Sequence, residues 1–552
     1  MAQGGTMKRP AGAGMRKMFL AALMAGIFAG LGACTTNPAT GEEDFTPFMS
    51  PQEEARIGAE AHPQILKAYG GVYEDARVGA YVAKVALRVA RASDLPDIPY
   101  TVSVLDSPVV NAFALPGGYV YVTRGLLALA NSEAELAGVL AHEIGHVAAR
   151  HSAQRQTAAV GSQIFGTLLG AVVGSSAVNQ LFNLGSQGLL ASYSREQEFE
   201  ADSLGVRYLA RAGYDPYAQA SFLKQLAAET ALAAKLSGRG AGAVQVDWLA
   251  THPANDARVR EAARLAAETG MPQGAGEVNA AAHLQAVDGL LYGDRPEEGV
   301  IRGREFLHSG LGFRFKAPED FHLQNTPQAV WAFGPDKSIV KFDTDKKASG
   351  QDIAGYLVND WARQLRLTEL RRLEIGGLAA AEAWTRLQNM RTRIVAIEGG
   401  DGRVYRFLAG TVPQAGTVHD AAIGAMVESF RLLSKAEAAR IKPLRIRTVK
   451  VRPGESAAAL AARMKVEAYA LERFRVLNGL GEGGSPNRPA RSNSSPSEAA
   501  FPQEGGCGRG RRWACGTSIA VKRGLGVLAE RGDECLFHFF KCLLLDLAHA
   551  FL

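Results

Sequence analysis

The stretch "NSEAELAGVLAHEIGHVAARH", residues 131–151, carries the pattern on which the fold of this chain turns. Leu136, Val139, Leu140, Ile144 and Val147 recur at helical spacing, and Ser132 with Glu135 makes an S-x-x-E start. A helix with a buried side is expected. On it, His142 and His146 stand at i and i+4, on one side and one turn apart, which is the reach needed to chelate a single ion. Glu143 projects beside them. Neutral imidazoles suit zinc, and an adjacent carboxylate can take a proton from an attacking water. Ala141 and Gly145 keep the helix thin, leaving room for a neighbouring helix or a substrate. The competing reading is a core helix that happens to carry two histidines.

A catalytic zinc needs a third protein ligand and an open position. The nearby continuation that would supply a third histidine requires glycine at 149 and histidine at 152, and the chain has Ala149 and Ser152. His151 is out of register and is read as a supporting or surface residue. A better candidate lies in "YSREQEFEADSLGVRYLARAG", residues 193–213, where Ser194 and Gln197 cap a second helix and Gly213 ends it. Glu198 and Asp202 again stand at i and i+4. One carboxylate can bind the metal while the other bonds the outer nitrogen of a ligating histidine. Alone, Glu198 with Glu196 and Glu200 reads as a solvated face; beside a metal-spaced histidine pair it reads as a ligand. Upstream, "YTVSVLDSPVVNAFALPGGYVYVTRGLL" (residues 100–127) predicts strands at 101–105, 112–115 and 119–123, with Pro116, Gly117 and Gly118 as a turn.

These motifs stand in a fixed order: "NAFALPGG" (111–118), HExxH (142–146), ExxxD within "SREQEFEAD" (194–202) and "THPANDAR" (251–258). In that order they resemble the membrane-associated zinc metallopeptidase family of HtpX, BepA and the CAAX prenyl endopeptidases, over roughly residues 51–265. The resemblance implies a mainly helical gluzincin domain with a small β-sheet, hydrolysing peptide bonds with one Zn2+ per chain. It assigns His142, His146 and Glu198 as metal ligands, Glu143 as general base, and Asp202 as the residue that orients a ligand, namely His142. His252 matches the family's His-Pro histidine. With Pro253 at a first helical position, His252 is expected at a helix N-terminus, facing a developing oxyanion or capping the metal in a closed state. The strand near Asn111 to Leu115 is expected to pair with an extended substrate backbone. Such pairing implies loose sequence preference, so unfolded or misassembled envelope proteins are the expected substrates.

At the N-terminus, Arg16 and Lys17 precede an uncharged apolar run from Met18 to Ala33, short for a spanning helix, and then Cys34. "LGAC" (31–34) resembles a bacterial lipobox, which implies cleavage before Cys34 and its acylation, with residues 1–33 as signal peptide and 34–50 as a polar tether. A plain secretion signal or a short anchor is the alternative. Thr35 and Thr36 follow with no aspartate, so the expected location is the periplasmic face of the outer membrane. The other cysteines, Cys507, Cys515, Cys535 and Cys542, lie near the C-terminus, so no disulfide framework is expected in the body. A net charge of +6 over 552 residues, with signs interspersed, argues against a nucleic-acid partner.

The peptidase domain is expected over 51–300. Within it, residues between Arg155 and Arg195 carry no charge and read as two packed or membrane-grazing helices in preference to a span. Met271 to Val278 reads as a linker. Residues 301–435 read as a small α+β accessory domain resembling the Mog-like and PsbP-like sheets, ending in a helix near Asp420 to Leu432. Residues 445–480 resemble the LysM module, which binds glycan backbones such as peptidoglycan, truncated because no closing strand follows Asn478. Residues 485–552 are low-complexity and read as a disordered or non-native tail. The whole is an α+β chain. The leading expectation is a lipid-anchored envelope endopeptidase acting on misassembled outer-membrane proteins. The alternative is a non-catalytic chaperone-like or assembly-factor lipoprotein that binds envelope proteins or peptidoglycan.

Overall fold

The computed structural model describes residues 34–46, 49–157, 193–236, 252, 256–326, 329–387, 389–466, 468–481, 484 and 490–494. Residues 57–147 and 190–496 form one compact unit, and residues 1–56, 148–189 and 497–552 are assigned to another. In that second unit, strands β1 (Cys34–Thr36) and β2 (Glu43–Phe45) make an antiparallel hairpin, and Arg150 pairs with Glu54 at 3.1 Å. The stretch 34–50, expected as a plain tether, therefore contains paired backbone. The signal segment 1–33, the uncharged run 158–192, Pro253 and, of the expected tail, residues 485–489 and 495–552 lie outside the described residues. No helix among the described residues is long and apolar enough to cross a membrane.

The first half is helical around one small sheet. Helices α1 (Pro51–Ala68) and α2 (Ala76–Ala92) lead in. The side chain of Asp75 accepts from the backbone N–H groups of Arg77 and Val78, which starts α2, and Val78, Val82, Val85 and Val89 form its buried stripe. Strands β3 (Thr101–Leu105), β4 (Ala112–Leu115) and β5 (Tyr119–Thr123) fall where the sequence predicts them. Their order is β3-β5-β4, with β3 parallel and β4 antiparallel to β5, so β4 is an edge. The β4–β5 turn needs glycine: Gly117 and Gly118 have φ of 81° and 85°, and a Cβ on Gly118 would sit 2.9 Å from the Pro99 carbonyl oxygen.

Helices α3 (Arg124–Leu129), α4 (Glu133–Ala148), α5 (Arg195–Arg211), α6 (Ala218–Leu236), α7 (Asp256–Glu268) and α8 (Ala280–Val287) follow. Helix α7 packs on both α5 and α6. Residues 271–278 are not a free linker. Glu277 pairs with Arg88 at 2.7 Å, Gly274 N–H donates to Asp215, and a Cβ on Gly276 would collide with Asp215 N at 2.5 Å. Glycine and glutamate are there for close approach and pairing, which composition alone cannot tell from a solvated loop.

Strand β6 (Leu291–Tyr292) pairs with a later strand, and between them residues 300–432 make two sheets among the described residues. Strands β7 (Val300–Arg302), β8 (Glu305–His308) and β9 (Phe313–Lys316) join β17 (Arg431–Leu432) in one. Strands β10 (His322–Asn325), β11 (Val330–Phe333), β12 (Ile339–Lys346), β13 (Thr368–Ile375), β14 (Leu378–Leu387), β15 (Met390–Glu398) and β16 (Arg403–Thr411) make a seven-stranded antiparallel sheet in the order β10-β11-β12-β16-β15-β14-β13. Along β15, Val395 and Ile397 join the Phe313–Phe315–Phe342–Phe407–Phe430 core. Ile394 and Ala396 pack under the short helix α9 (Ile353–Tyr356) on the other face. The final helix of this region, α10 (Asp420–Glu428), is shorter than expected, because Arg431 and Leu432 leave it to pair with Phe313 and Arg314.

After α11 (Lys435–Arg440), strand β18 (Leu444–Val449) is followed by α12 (Ala457–Ala461) and α13 (Ala470–Leu477). The expected absence of a closing strand is overturned. Strand β19 (Ala490–Ser494), "ARSNS", pairs antiparallel with β18 from Arg445↔Ser494 to Val449↔Ala490. Polar composition hid it, since backbone pairing at a sheet edge asks little of side chains. Helix α13 packs on α6, where the Gln225 amide donates to the Val476 carbonyl.

Candidate metal centre

Helix α4 begins with Ser132 Oγ accepting from Glu135 N–H at 3.1 Å; the Glu135 carboxylate turns back to the N–H of Asn131 at 2.6 Å, one residue earlier than a capping box requires. Helix α5 has both arms of the box, between Ser194 and Gln197, each at 3.2 Å. The two helices meet at glycines. A Cβ on Gly145 would lie 3.2 Å from the Ala201 carbonyl oxygen, and one on Gly205 would lie 3.2 Å from His142 N. The room expected beside Gly145 is thus filled by the second helix. That contact brings the 142–146 and 198–202 pairs face to face.

His142, His146, Glu198 and His252 are all buried, and one ligand atom from each lies within 4.8 Å of the others. His142 Nε2 is 3.0 Å from His146 Nε2, 3.3 Å from His252 Nδ1 and 3.6 Å from Glu198 Oε2. Glu198 Oε1 is 3.5 Å from His146 Nε2 and 2.8 Å from His252 Nδ1. Tetrahedral zinc bonds of about 2.0–2.1 Å imply donor separations of about 3.3 Å, and these contacts straddle that figure. Three imidazoles and one carboxylate also make a transition-metal donor set, so the residues fit a metal ion. His151 is buried, not a surface residue, and is not one of the four.

Around the donors, Asp202 Oδ1 lies 3.0 Å from His142 Nδ1. The same carboxylate accepts from Gln219 Nε2 at 2.9 Å and from Arg258 at 2.6 and 2.8 Å. Arg258, 1% exposed, also reaches Glu198 Oε2 at 2.5 Å and the His252 carbonyl at 3.4 Å. Glu143 is buried, with Oε1 3.5 Å from His252 Nε2. Burial opposes the charge on Glu198 and on Asp202. The charge on His252 and hydrogen bonds from His146 and His252 outweigh it at Glu198, and Arg258 outweighs it at Asp202, so both carboxyls are held below the usual carboxylate range. At His252 burial also opposes the charge and would lower it, but the charges of Glu143 and Glu198 raise it.

His252 joins the donors from a bend and not from a helix, and the described part of α7 runs from Asp256. Sequence reasoning missed three residues. Arg258 ends "THPANDAR", where nothing nearby in the chain shows that it will meet Asp202 and Glu198. Gln219 has no local pattern. Tyr193, just before the Ser194 cap, stacks on His146 with ring centroids 3.8 Å apart and planes 16° apart.

Residues 76–266 match the model of peptidase family M48, and the chain carries a domain of that family. The mitochondrial metalloendopeptidase OMA1 of Schizosaccharomyces pombe is 32% identical over 215 residues, 38% of this chain and 59% of that protein. OMA1 of Arabidopsis thaliana is 38% identical over 169 residues, 31% of this chain and 32% of that protein. The beta-barrel assembly-enhancing protease of Escherichia coli is 28% identical over 224 residues, 39% of this chain and 44% of that protein. The chain therefore spans between about a third and three fifths of the length of these relatives. Among solved structures, cyanobacterial PsbP from Synechocystis aligns at 12% identity over 23% of this chain and 91% of that one, with a TM-score of 0.20, which carries no assignment.

Proposed function

We propose that this protein is a zinc-dependent endopeptidase of the bacterial cell envelope that acts on misfolded or misassembled outer-membrane proteins. The observation that carries the reading is the convergence of His142, His146 and Glu198 on one point with Glu143 beside them. These three residues would hold the metal. A bound zinc ion supplies Lewis-acid polarisation of the scissile carbonyl. Glu143 takes the proton from the attacking water and passes it to the leaving amine. Asp202 holds His142 through Nδ1, and Arg258 holds Asp202. His252 is a fourth donor in the geometry described, whereas a catalytic site keeps one position open. It therefore acts as a cap that withdraws when substrate enters and then faces the developing oxyanion. The edge strand β4 supports a substrate held in extended form.

The envelope setting rests on the lipobox-like "LGAC", with Cys34 as the acylated residue and the periplasmic face of the outer membrane as the location. The name of the Escherichia coli relative points the same way. We divide the chain into signal peptide (1–33), tether (34–50), peptidase (51–300), PsbP-like accessory domain (301–435), LysM-like module (445–480) and tail (485–552), except that residues 490–494, expected as tail, pair as β19 with β18 and belong with the module. The strand-helix-helix-strand order of β18, α12, α13 and β19 supports the LysM-like reading, with peptidoglycan as its ligand. The four-donor geometry favours a second reading, a chaperone-like assembly factor whose metal site stays closed. Zinc content and casein cleavage, measured on wild type, Glu143→Gln and Glu198→Ala, decide between them. Zinc retained but cleavage lost in Glu143→Gln, with zinc lost in Glu198→Ala, supports the peptidase. Zinc in the wild type with no cleavage supports the closed site.

A further inference from the structure

We propose that Tyr193 is a positioning residue that fixes the ring of His146 for metal binding, an inference that rests on the metallopeptidase reading above. The two histidines of α4 are held differently. His142 has its Nδ1 against Asp202 at 3.0 Å. His146 has its face against Tyr193, with ring centroids 3.8 Å apart and planes inclined by 16°. Rotation about the last torsion of a histidine is broad, so an imidazole needs an outside contact to present one nitrogen to an ion. A parallel ring at van der Waals distance blocks that rotation without competing for either nitrogen.

The placement of Tyr193 ties this contact to the rest of the site. It immediately precedes Ser194, whose reciprocal cap with Gln197 fixes the start of α5, and Glu198 follows five residues after it. One helix start thus delivers both a ligand and the wall against which a ligand of the other helix rests. The Tyr193 ring also lies 5.4 Å from that of His252, inclined by 36°, so the same wall borders the capping histidine. A stack is a contact between ring faces, so phenylalanine should replace tyrosine in this role.

The test is metal binding by the full-length protein, with zinc affinity read by competition with a chromophoric chelator and geometry read from the visible spectrum after cobalt(II) loading. Tyr193→Ala is expected to lower zinc affinity about 10-fold and to alter the cobalt spectrum, while Tyr193→Phe keeps both. Should the alanine variant fail to fold, Tyr193→Leu, which keeps bulk without a ring, is expected to show the same loss. Wild-type affinity and spectrum in Tyr193→Ala or Tyr193→Leu would overturn the inference, as would a loss in Tyr193→Phe equal to that in Tyr193→Ala. A wild type that binds neither zinc nor cobalt would overturn the metallopeptidase reading and this inference together. A wild type that binds while all variants match it overturns this inference alone.

Discussion

Arg258 grips Asp202 through both carboxylate oxygens, at 2.6 and 2.8 Å, and both side chains are 1% exposed or less. Asp202 in turn faces His142, so a residue of α7 holds the carboxylate that contacts a histidine of α4. Removing one member of a buried pair leaves the other charge unpaired, at a cost of about 3–5 kcal/mol. Arg258→Ala is expected to lower the unfolding temperature and to lose bound metal, as read by calorimetry and metal analysis. Arg258→Lys should not rescue it, because one ammonium cannot reach Asp202, Glu198 and the His252 carbonyl together. A thermally normal, metal-replete Arg258→Ala protein would remove this residue from the account.

Asp202→Asn keeps the shape but weakens the hold on His142 Nδ1. Zinc affinity should fall about 10- to 100-fold with the fold intact, measured by chelator competition and circular dichroism. Unchanged affinity would mean that packing alone orients His142.

Glu143→Gln separates binding from proton transfer. With the metal ligands untouched, zinc content should stay at the wild-type level while casein cleavage falls by about 100-fold or more. Cleavage at the wild-type rate would exclude Glu143 as the base.

The meeting of α4 and α5 depends on glycine. Gly205→Val forces a side chain towards His142 N, where even a Cβ would be 3.2 Å away, and overpacking of this kind costs about 1–3 kcal/mol. Because the helices separate at the site, metal affinity should fall along with stability, whereas the same substitution at Gly79, where a Cβ would meet nothing within 4 Å, should leave metal affinity unchanged.

Stability should also depend on Glu229 of α6. Burial pushes its carboxyl up to about 7, against the pull of Arg473. A folded-state value above the ordinary 4.5 means that this group's contribution is whole below pH 4.5 and is lost as the pH rises through about 7. Glu229→Gln is expected to flatten that fall and to raise the unfolding temperature at pH 8, by roughly 2–4 °C if the gain is about 1 kcal/mol. An unfolding temperature at pH 8 equal to that of the wild type would show that Glu229 is not strained by ionisation.

The parts of the site legible in the sequence are those encoded by short-range periodicity. The histidines of α4, the carboxylates of α5 and the caps at Ser132 and Ser194 each sit within one turn of a partner, and β3, β4 and β5 announce themselves by alternation and a glycine turn. Arg258, Gln219 and Tyr193 were not legible, because their partners are distant in the chain and each type has an ordinary reading: a surface cation, a solvated amide, a core ring. Residues 271–278 and strand β19 misled for a related reason. Polar, glycine-rich sequence signals exposure, yet Glu277 serves Arg88, Gly276 admits the backbone of residue 215, and β19 needs only its amides to pair with β18.

Helix α6 serves two masters two turns apart: Gln219 steadies Asp202 at the metal end, and Gln225 holds the Val476 carbonyl of the C-terminal module. That module is accordingly no detachable cassette. A transplant of a different C-terminal module would have to keep a carbonyl where Gln225 expects it, and a graft that tilted α6 would carry its error to Asp202, the carboxylate beside His142.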